Sequence, residues 1–122
     1  MILNFEEITA PLTEEERDEV INVVTIVSPR NRDNPIKSYE IEQRLNIPGA
    51  RLRKIINLIR TNAIFPIIGT SQGYHASFDP KEIDDEAISM YQRADAIIAA
   101  GAGITKIAER MRAGRNYDLF GN

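Results

Sequence analysis

Cationic and amide side chains recur between residues 50 and 61 at a spacing that suits contact with nucleic acid. At about 100° per residue, Lys54 and Asn57 fall on one face of a helix, opposite a stripe of leucine and isoleucine. Lysine donates hydrogen bonds to guanine and asparagine pairs two ways with adenine, so we expect these two side chains to read base edges. The neighbours expected to contact phosphates are Arg51, Arg53, Arg60 and Thr61.

Other polar side chains extend this candidate surface. Arg44 and Lys37 precede the helix, Arg30 and Arg32 lie in a loop before them, and all four are expected to add phosphate contacts. Gln72 lies near the tip of a turn and can donate a hydrogen bond to phosphate. A basic face that is only solvated is the alternative for all of these residues.

The charge distribution supports the same surface. A net charge of −3 over 122 residues argues by itself against a nucleic-acid partner. However, residues 1–29 carry −6, residues 30–60 carry +5 and residues 61–122 carry −2. The basic segment is the one that contains the candidate surface.

The composition offers little for catalysis or metal binding. The chain has one histidine, His75, and no cysteine, so we expect no enzyme activity, no metal site and no small-molecule cofactor. His75 is expected to have a structural role. The acids at 84–86 suit the positive end of a helix dipole. Gly101 and Gly103 are interpreted as a helix break, because the pattern of a phosphate-binding loop is missing.

Three helices are predicted in the first half of the chain. Thr13 and Glu16 form a capping-box pattern at the start of a first helix over about 13–28. Ser38 is expected to cap a second helix, which Asn46 closes in the left-handed conformation. The third helix is predicted from its apolar stripe, which consists of Leu52, Ile55, Ile56 and Ile59.

A β-hairpin and a fourth helix are predicted next. Two short β-like runs, 64–68 and 74–78, flank a turn that contains glycine. Asp79 is expected to cap the fourth helix, with Glu82 completing a capping box. Apolar residues at alternating spacings of four and three along this helix indicate a dimer seam, or else packing against the first helix. The residues expected to mediate dimerisation are Ile83, Met90, Ala94 and Ile97.

Three of these segments follow one another in an informative order. Residues 41–47 form a helix and turn, residues 52–60 an amphipathic helix, and residues 65–74 most of a hairpin. In this order they resemble the winged helix-turn-helix of biotin-repressor-type regulators and of small bacterial and prophage proteins. Two positions depart from the family pattern: Glu42 stands where a small residue is usual, and no Lys or Arg occupies the hairpin tip.

The resemblance implies a mainly α-helical fold, with a three-helix core, a two-stranded wing and, here, an additional C-terminal helix. The domain organisation expected on this basis is an arm at 1–12, a winged-helix domain at 13–78, a helical extension at 79–113 and a flexible tail at 114–122.

The function implied by the resemblance is binding of double-stranded DNA by a homodimer that regulates transcription or replication, of prophage or other mobile-element origin. The alternative is a protein-interaction adaptor that uses the same fold and docks through its acidic first helix. Apolar runs too short for a bilayer and an acidic N-terminus predict a cytoplasmic protein without a membrane partner.

Overall fold

The computed structural model of this chain describes residues 12–114. Over this range the chain is mainly helical, with four helices and one two-stranded antiparallel hairpin, which confirms the broad fold class. In chain order the elements are α1 Glu14–Val27, α2 Ser38–Leu45, α3 Gly49–Thr61, β1 Ile67–Thr70, β2 Gly73–Ala76 and α4 Pro80–Arg112. The expected arm, apart from Leu12, and the expected tail, apart from Gly114, lie outside the described residues.

The chain divides into two compact units between Asp84 and Asp85. The first unit holds α1, α2, α3, the hairpin and the start of α4, and the second holds the rest of α4. None of the described helices combines the length and apolar content needed to cross a membrane.

Local hydrogen bonds fix the start of α1. Thr13 Oγ1 accepts from the backbone N–H of Glu16 at 3.1 Å, and Glu16 Oε1 accepts from the backbone N–H of Thr13 at 2.9 Å. The predicted capping box is therefore confirmed. The helix ends at Val27, two residues before Pro29, whose ring cannot continue the hydrogen-bond ladder.

The start of α2 lies one residue away from the predicted cap. Lys37 is the N-cap, with an extended backbone and no side-chain cap, and Ser38 is already helical, so the prediction of Ser38 as the cap is wrong. The reason is that Ile36, just before the cap, is held extended by pairing with β2. At the other end Asn46 has φ 52°, and the predicted left-handed closure is confirmed.

The core of the first unit forms where α1, α2 and α3 meet. The predicted stripe of α3 is buried, and Ile55 and Ile59 are at most 1% exposed. Ile41 of α2 is fully buried against it, together with Val20, Val23 and Val27 of α1. Leu45 and Val24 pack at the margin of this core and remain half-buried. The helical register predicted for α3 is therefore correct.

The hairpin begins later than the sequence predicted. Ala63 adopts a positive φ of 51° and donates to the Arg60 carbonyl at 3.1 Å, while Ile64 donates to the Ile59 carbonyl at 2.9 Å. These two bonds form a Schellman closure of α3. Because Ile64 belongs to that closure, β1 starts only at Ile67, which pairs with Ala76.

A bridge to the loop before α2 extends the hairpin. The Ile36 N–H donates to the Tyr74 carbonyl at 2.9 Å, and the Tyr74 N–H donates to the Ile36 carbonyl at 2.8 Å. Gly73 next to it has φ 130°, and a Cβ there would overlap the Ile36 carbonyl oxygen, so this position requires glycine. The segment before α2 is predicted to be a loop, and no sequence pattern indicates this pairing.

The fourth helix runs through both glycines without interruption, so the predicted break at Gly101 and Gly103 is wrong. A glycine costs a helix about 1 kcal/mol relative to alanine, which is too little to end a long helix by itself. Alanine, the best helix former, occupies three neighbouring positions: Ala99, Ala100 and Ala102.

The residues expected to mediate dimerisation have unequal exposure. Ile83 and Met90 are half-buried, whereas Ala94 and Ile97 are exposed. No described residue of α4 is buried. The apolar stripe on this helix is therefore open to solvent over most of its length.

Candidate nucleic-acid interface

The exposed side of α3 brings together four of the residues predicted to bind nucleic acid. Arg53, Lys54, Asn57 and Thr61 are all exposed, while the opposite side of the same helix is buried. The Thr61 hydroxyl donates to the Asn57 carbonyl at 2.9 Å, and its oxygen accepts from Asn62 Nδ2 at 3.5 Å. This surface therefore presents cationic and amide groups on a helix that is held firmly in the core.

Arg51 lies on the flank of α3 and is engaged within the protein. Its Nε donates to Glu19 Oε2 at 2.6 Å and its Nη2 donates to Glu19 Oε1, so that α3 is tied to α1. These hydrogen bonds lower the pKa of Glu19 and raise that of Arg51. The side chains are only 28% and 18% exposed. The guanidinium edge that would contact a phosphate is therefore occupied by a carboxylate.

Acids of α1 also lie close to Lys54. The pKa of Glu16 is lowered mainly by its hydrogen bond from the Thr13 backbone, and the charge of Lys54 adds to this effect. The same lysine contributes, after Arg51, to lowering the pKa of Glu19. One edge of the candidate surface is thus bordered by negative charge.

Arg53 lies over the start of its own helix. A Cβ built on Gly49 would lie 3.4 Å from Arg53 Nη1 and 3.2 Å from Glu42 Oε1. The Glu42 carboxylate is therefore directed toward the first residue of α3, close to the Arg53 guanidinium. Glu42 is the residue that stands where the family usually has a small one. Glycine leaves the space that both side chains use.

Arg60 points toward the hairpin. A Cβ built on Gly69 would lie 3.2 Å from Arg60 Nη2 and 3.1 Å from Cε1 of Tyr74. The guanidinium therefore lies against β1, beside the tyrosine ring, and the residue is half-buried. It brings positive charge to a hairpin whose tip carries no Lys or Arg.

The remaining predicted contacts lie around this surface. Arg44 donates to Glu40 Oε1 at 3.0 Å, one turn away on α2. Lys37 is exposed, and its backbone passes close to Gly73 at the hairpin turn. Gln72 is exposed in that turn, where its backbone N–H donates to Thr70 Oγ1 at 3.1 Å.

A buried polar cluster joins the end of the hairpin to α4. His75 Nε2 donates to Glu82 Oε1 at 2.8 Å, and the Ser77 hydroxyl donates to Glu82 Oε2 at 2.7 Å. Arg32 Nη2 lies 3.6 Å from the same carboxylate. The hydrogen bonds from His75 and Ser77 are the main reason that the pKa of Glu82 is lowered.

One prediction about this cluster, the capping box at Glu82, is wrong, and the contact between His75 and Glu82 was not predicted. Asp79 does cap α4, because its Oδ1 accepts from the Lys81 N–H at 3.0 Å. Glu82 does not complete a capping box, since its two oxygens accept from His75 and Ser77 instead. The seven-residue spacing of His75 and Glu82 carries no recognised signal, because it crosses from a strand into a helix.

The Ser77 hydroxyl and His75 Nε2 both donate to the Glu82 carboxylate, so the two side chains are joined through this acid. Among residues 12–114 no three His, Asp or Glu side chains are grouped so as to hold a metal ion.

Comparisons of the chain with protein-family models, with curated proteins and with solved structures find no match. The winged-helix resemblance therefore rests on the sequence segments described above.

Proposed function

We propose that the first unit is a winged-helix module that binds double-stranded DNA, with α3 placed in the major groove. The observation that carries this proposal is the exposed group of Arg53, Lys54 and Asn57 on a helix whose other side is buried. A helix fits the major groove of B-DNA, and base edges are read there by side chains of these types.

The arrangement of the elements supports the proposal. The hairpin follows α3 directly, and the bridge between Ile36 and Tyr74 ties it to the start of α2. The hairpin is thereby held against the start of α2, and α2 in turn packs on α3 in the core. In this proposal the hairpin is the wing, with Lys37, Arg60 and Gln72 supplying the polar groups near the backbone of the duplex.

Each residue of the surface has a proposed role. Lys54 and Asn57 contact base edges, and Arg53 contacts phosphates. Thr61 joins Arg53 by turning its hydroxyl from the Asn57 carbonyl to a phosphate oxygen. Arg51 is held by Glu19 and supplies no phosphate contact while this ion pair is formed. In this proposal the process served is regulation of transcription or replication, and the resemblance to prophage proteins points to a mobile genetic element.

The salt dependence of DNA binding tests this proposal. We expect the wild type to bind a random-sequence duplex with an affinity that falls steeply with salt. Replacing Arg53 and Lys54 together by alanine should weaken binding and reduce the logarithmic salt slope by about 0.9 for each lost phosphate contact. Fluorescence anisotropy at several salt concentrations measures both quantities.

A matched control removes the same charge elsewhere. Arg17 and Lys106 are exposed and lie outside the proposed surface, so replacing both by alanine should leave the slope within error of the wild type. Equal slopes for the two double variants would show that the assigned face is wrong.

A second function, as a protein-interaction adaptor, is favoured by one observation. Arg51 and Arg44 are both paired with acids, which reduces the positive charge available to a phosphate. In that case the exposed acids of α1 would form the docking face. Absence of duplex binding at low salt by the wild type would leave the adaptor as the better proposal.

A further inference from the structure

The C-terminal helix carries large apolar side chains that are open to solvent. Ile97 is 72% exposed, Ile104 68% and Met111 64%, and no described residue of α4 is buried. Burying such side chains is favourable, and a contiguous exposed apolar surface marks an interaction site. We therefore expect another protein surface to cover this face of α4.

The residues on this face follow a regular series. From residue 87 to residue 111 they recur at spacings of three and four, which is the coiled-coil period. Small and large side chains alternate along the series: Ala87, Met90, Ala94, Ile97, Gly101, Ile104, Ala108 and Met111. Gly101 thus occupies a small-residue position in a continuous helix.

This alternation distinguishes the two ways in which identical helices can pair. In a parallel pair each residue faces its own copy, so small residues would meet small ones and large residues large ones. In an antiparallel pair the small positions face the large positions of the other helix. Every layer then holds one small and one large residue, which fills the space evenly and lets the helices approach closely.

The charges at the two ends of the helix favour the same orientation. The start carries Asp84, Asp85 and Glu86, whereas the last turn carries Arg110 and Arg112 with the single acid Glu109. Parallel pairing would bring like charges together at both ends. Antiparallel pairing brings acids against bases at both ends.

We propose that a second copy of this chain covers the exposed face of α4, and that the two helices pair in antiparallel orientation. The pairing uses only residues 87–111 and the charged ends. It does not depend on DNA binding, so it is tested without DNA and fails or succeeds separately from the proposed function.

Sedimentation measures the association. At micromolar concentration the wild type should run at twice the chain mass of 13.8 kDa. Ile97→Asp places a charge in the seam and should run as a folded monomer, while the matched control Ala99→Asp, on the opposite side of the helix, should remain a dimer. Circular dichroism checks that both variants stay folded. A monomeric wild type, or an assembly larger than two, overturns the proposal.

The small positions are tested by enlarging one of them. Gly101 and Gly103 both have open space where a Cβ would be, so a side chain can begin at either site without touching the rest of the chain. Gly101→Leu should weaken dimerisation by at least about tenfold because it keeps the helices apart. Gly103→Leu should leave the dissociation constant unchanged. Tighter association of Gly101→Leu would overturn the close-packed seam, because leucine adds apolar surface and helix propensity.

The orientation is tested by chemical cross-linking. The chain has no cysteine, so Ala87→Cys and Ala108→Cys each introduce a single thiol. The two positions are 21 residues apart, or about 32 Å along a helix. A short bismaleimide should link the mixture of both variants but neither variant alone. Efficient linking of each variant alone would show a parallel pair and overturn the orientation.

Discussion

At the scale of single residues, Glu82 joins two elements. Its carboxylate accepts hydrogen bonds from His75 on β2 and from Ser77 just after it. The histidine is 2% exposed, so a partner lost on this side is not replaced by bulk water. The cluster should therefore contribute measurably to the stability of the first unit.

We predict that Glu82→Gln lowers the free energy of unfolding by about 1.5–3 kcal/mol at pH 7, the range for hydrogen bonds to a charged group. The pKa of Glu82 is lowered from 4.5 by these bonds. The stability linked to its charge is thus present above about pH 4.5 and is lost as the pH falls through the folded-state pKa. Urea unfolding from pH 7 to pH 3 should show the free energies of unfolding of the wild type and the variant converging.

Glu15→Gln, at an exposed position, is the control and should change stability by less than about 0.5 kcal/mol. A constant gap down to pH 3 would contradict the role given to Glu82.

The contacts that the sequence could predict at this scale are the local ones. The Thr13 and Glu16 capping box spans three residues, and its hydrogen bonds follow from helix geometry alone. Arg51 and Glu19 are 32 residues apart, so their contact depends on how α1 packs on α3, which no local pattern specifies. Glu82 was misassigned because its spacing from Asp79 fits a capping box equally well.

At the scale of elements, apolar periodicity predicted the right helices and the right buried face. The stripe of α3 fixes its register, and the exposed polar face follows from that register. The bridge at Ile36 was missed because a single paired residue leaves no alternating pattern. The continuity of α4 was not predicted from the two glycines alone. It follows from the alanines around them and from the helical spacing that Gly101 shares with the apolar residues of α4.

The contact between α1 and α3 leads to a prediction about binding. Glu19→Gln removes the carboxylate that holds Arg51 and one negative charge beside the proposed surface. We expect it to tighten binding of random-sequence DNA and to steepen the salt slope by about 0.9, because Arg51 becomes available to a phosphate. Folding stability should fall by no more than about 1 kcal/mol. Glu14→Gln makes the same change of charge at an exposed position of α1 and serves as the control. Weaker DNA binding by Glu19→Gln would mean that the ion pair supports the binding conformation.

At the scale of the whole molecule, charge and apolar surface are divided between different parts of the chain. The positive charge lies in residues 30–60, within the first unit, and the exposed apolar face lies on α4 beyond Asp84. The two proposals accordingly use separate surfaces, one for DNA and one for a second copy of the chain. Each can be removed by substitution without touching residues of the other.

Mapping the DNA-binding surface by NMR is the sharpest test of binding through α3. A ¹⁵N-labelled sample of the full chain is titrated with a short duplex, and the backbone amide shifts are followed. We expect the largest changes on the exposed side of α3, around Lys54 and Asn57, and at the hairpin turn near Gln72, with small changes at the exposed acids of α1. Shifts confined to α1 or α4, or no shifts at low salt, would contradict DNA binding through α3.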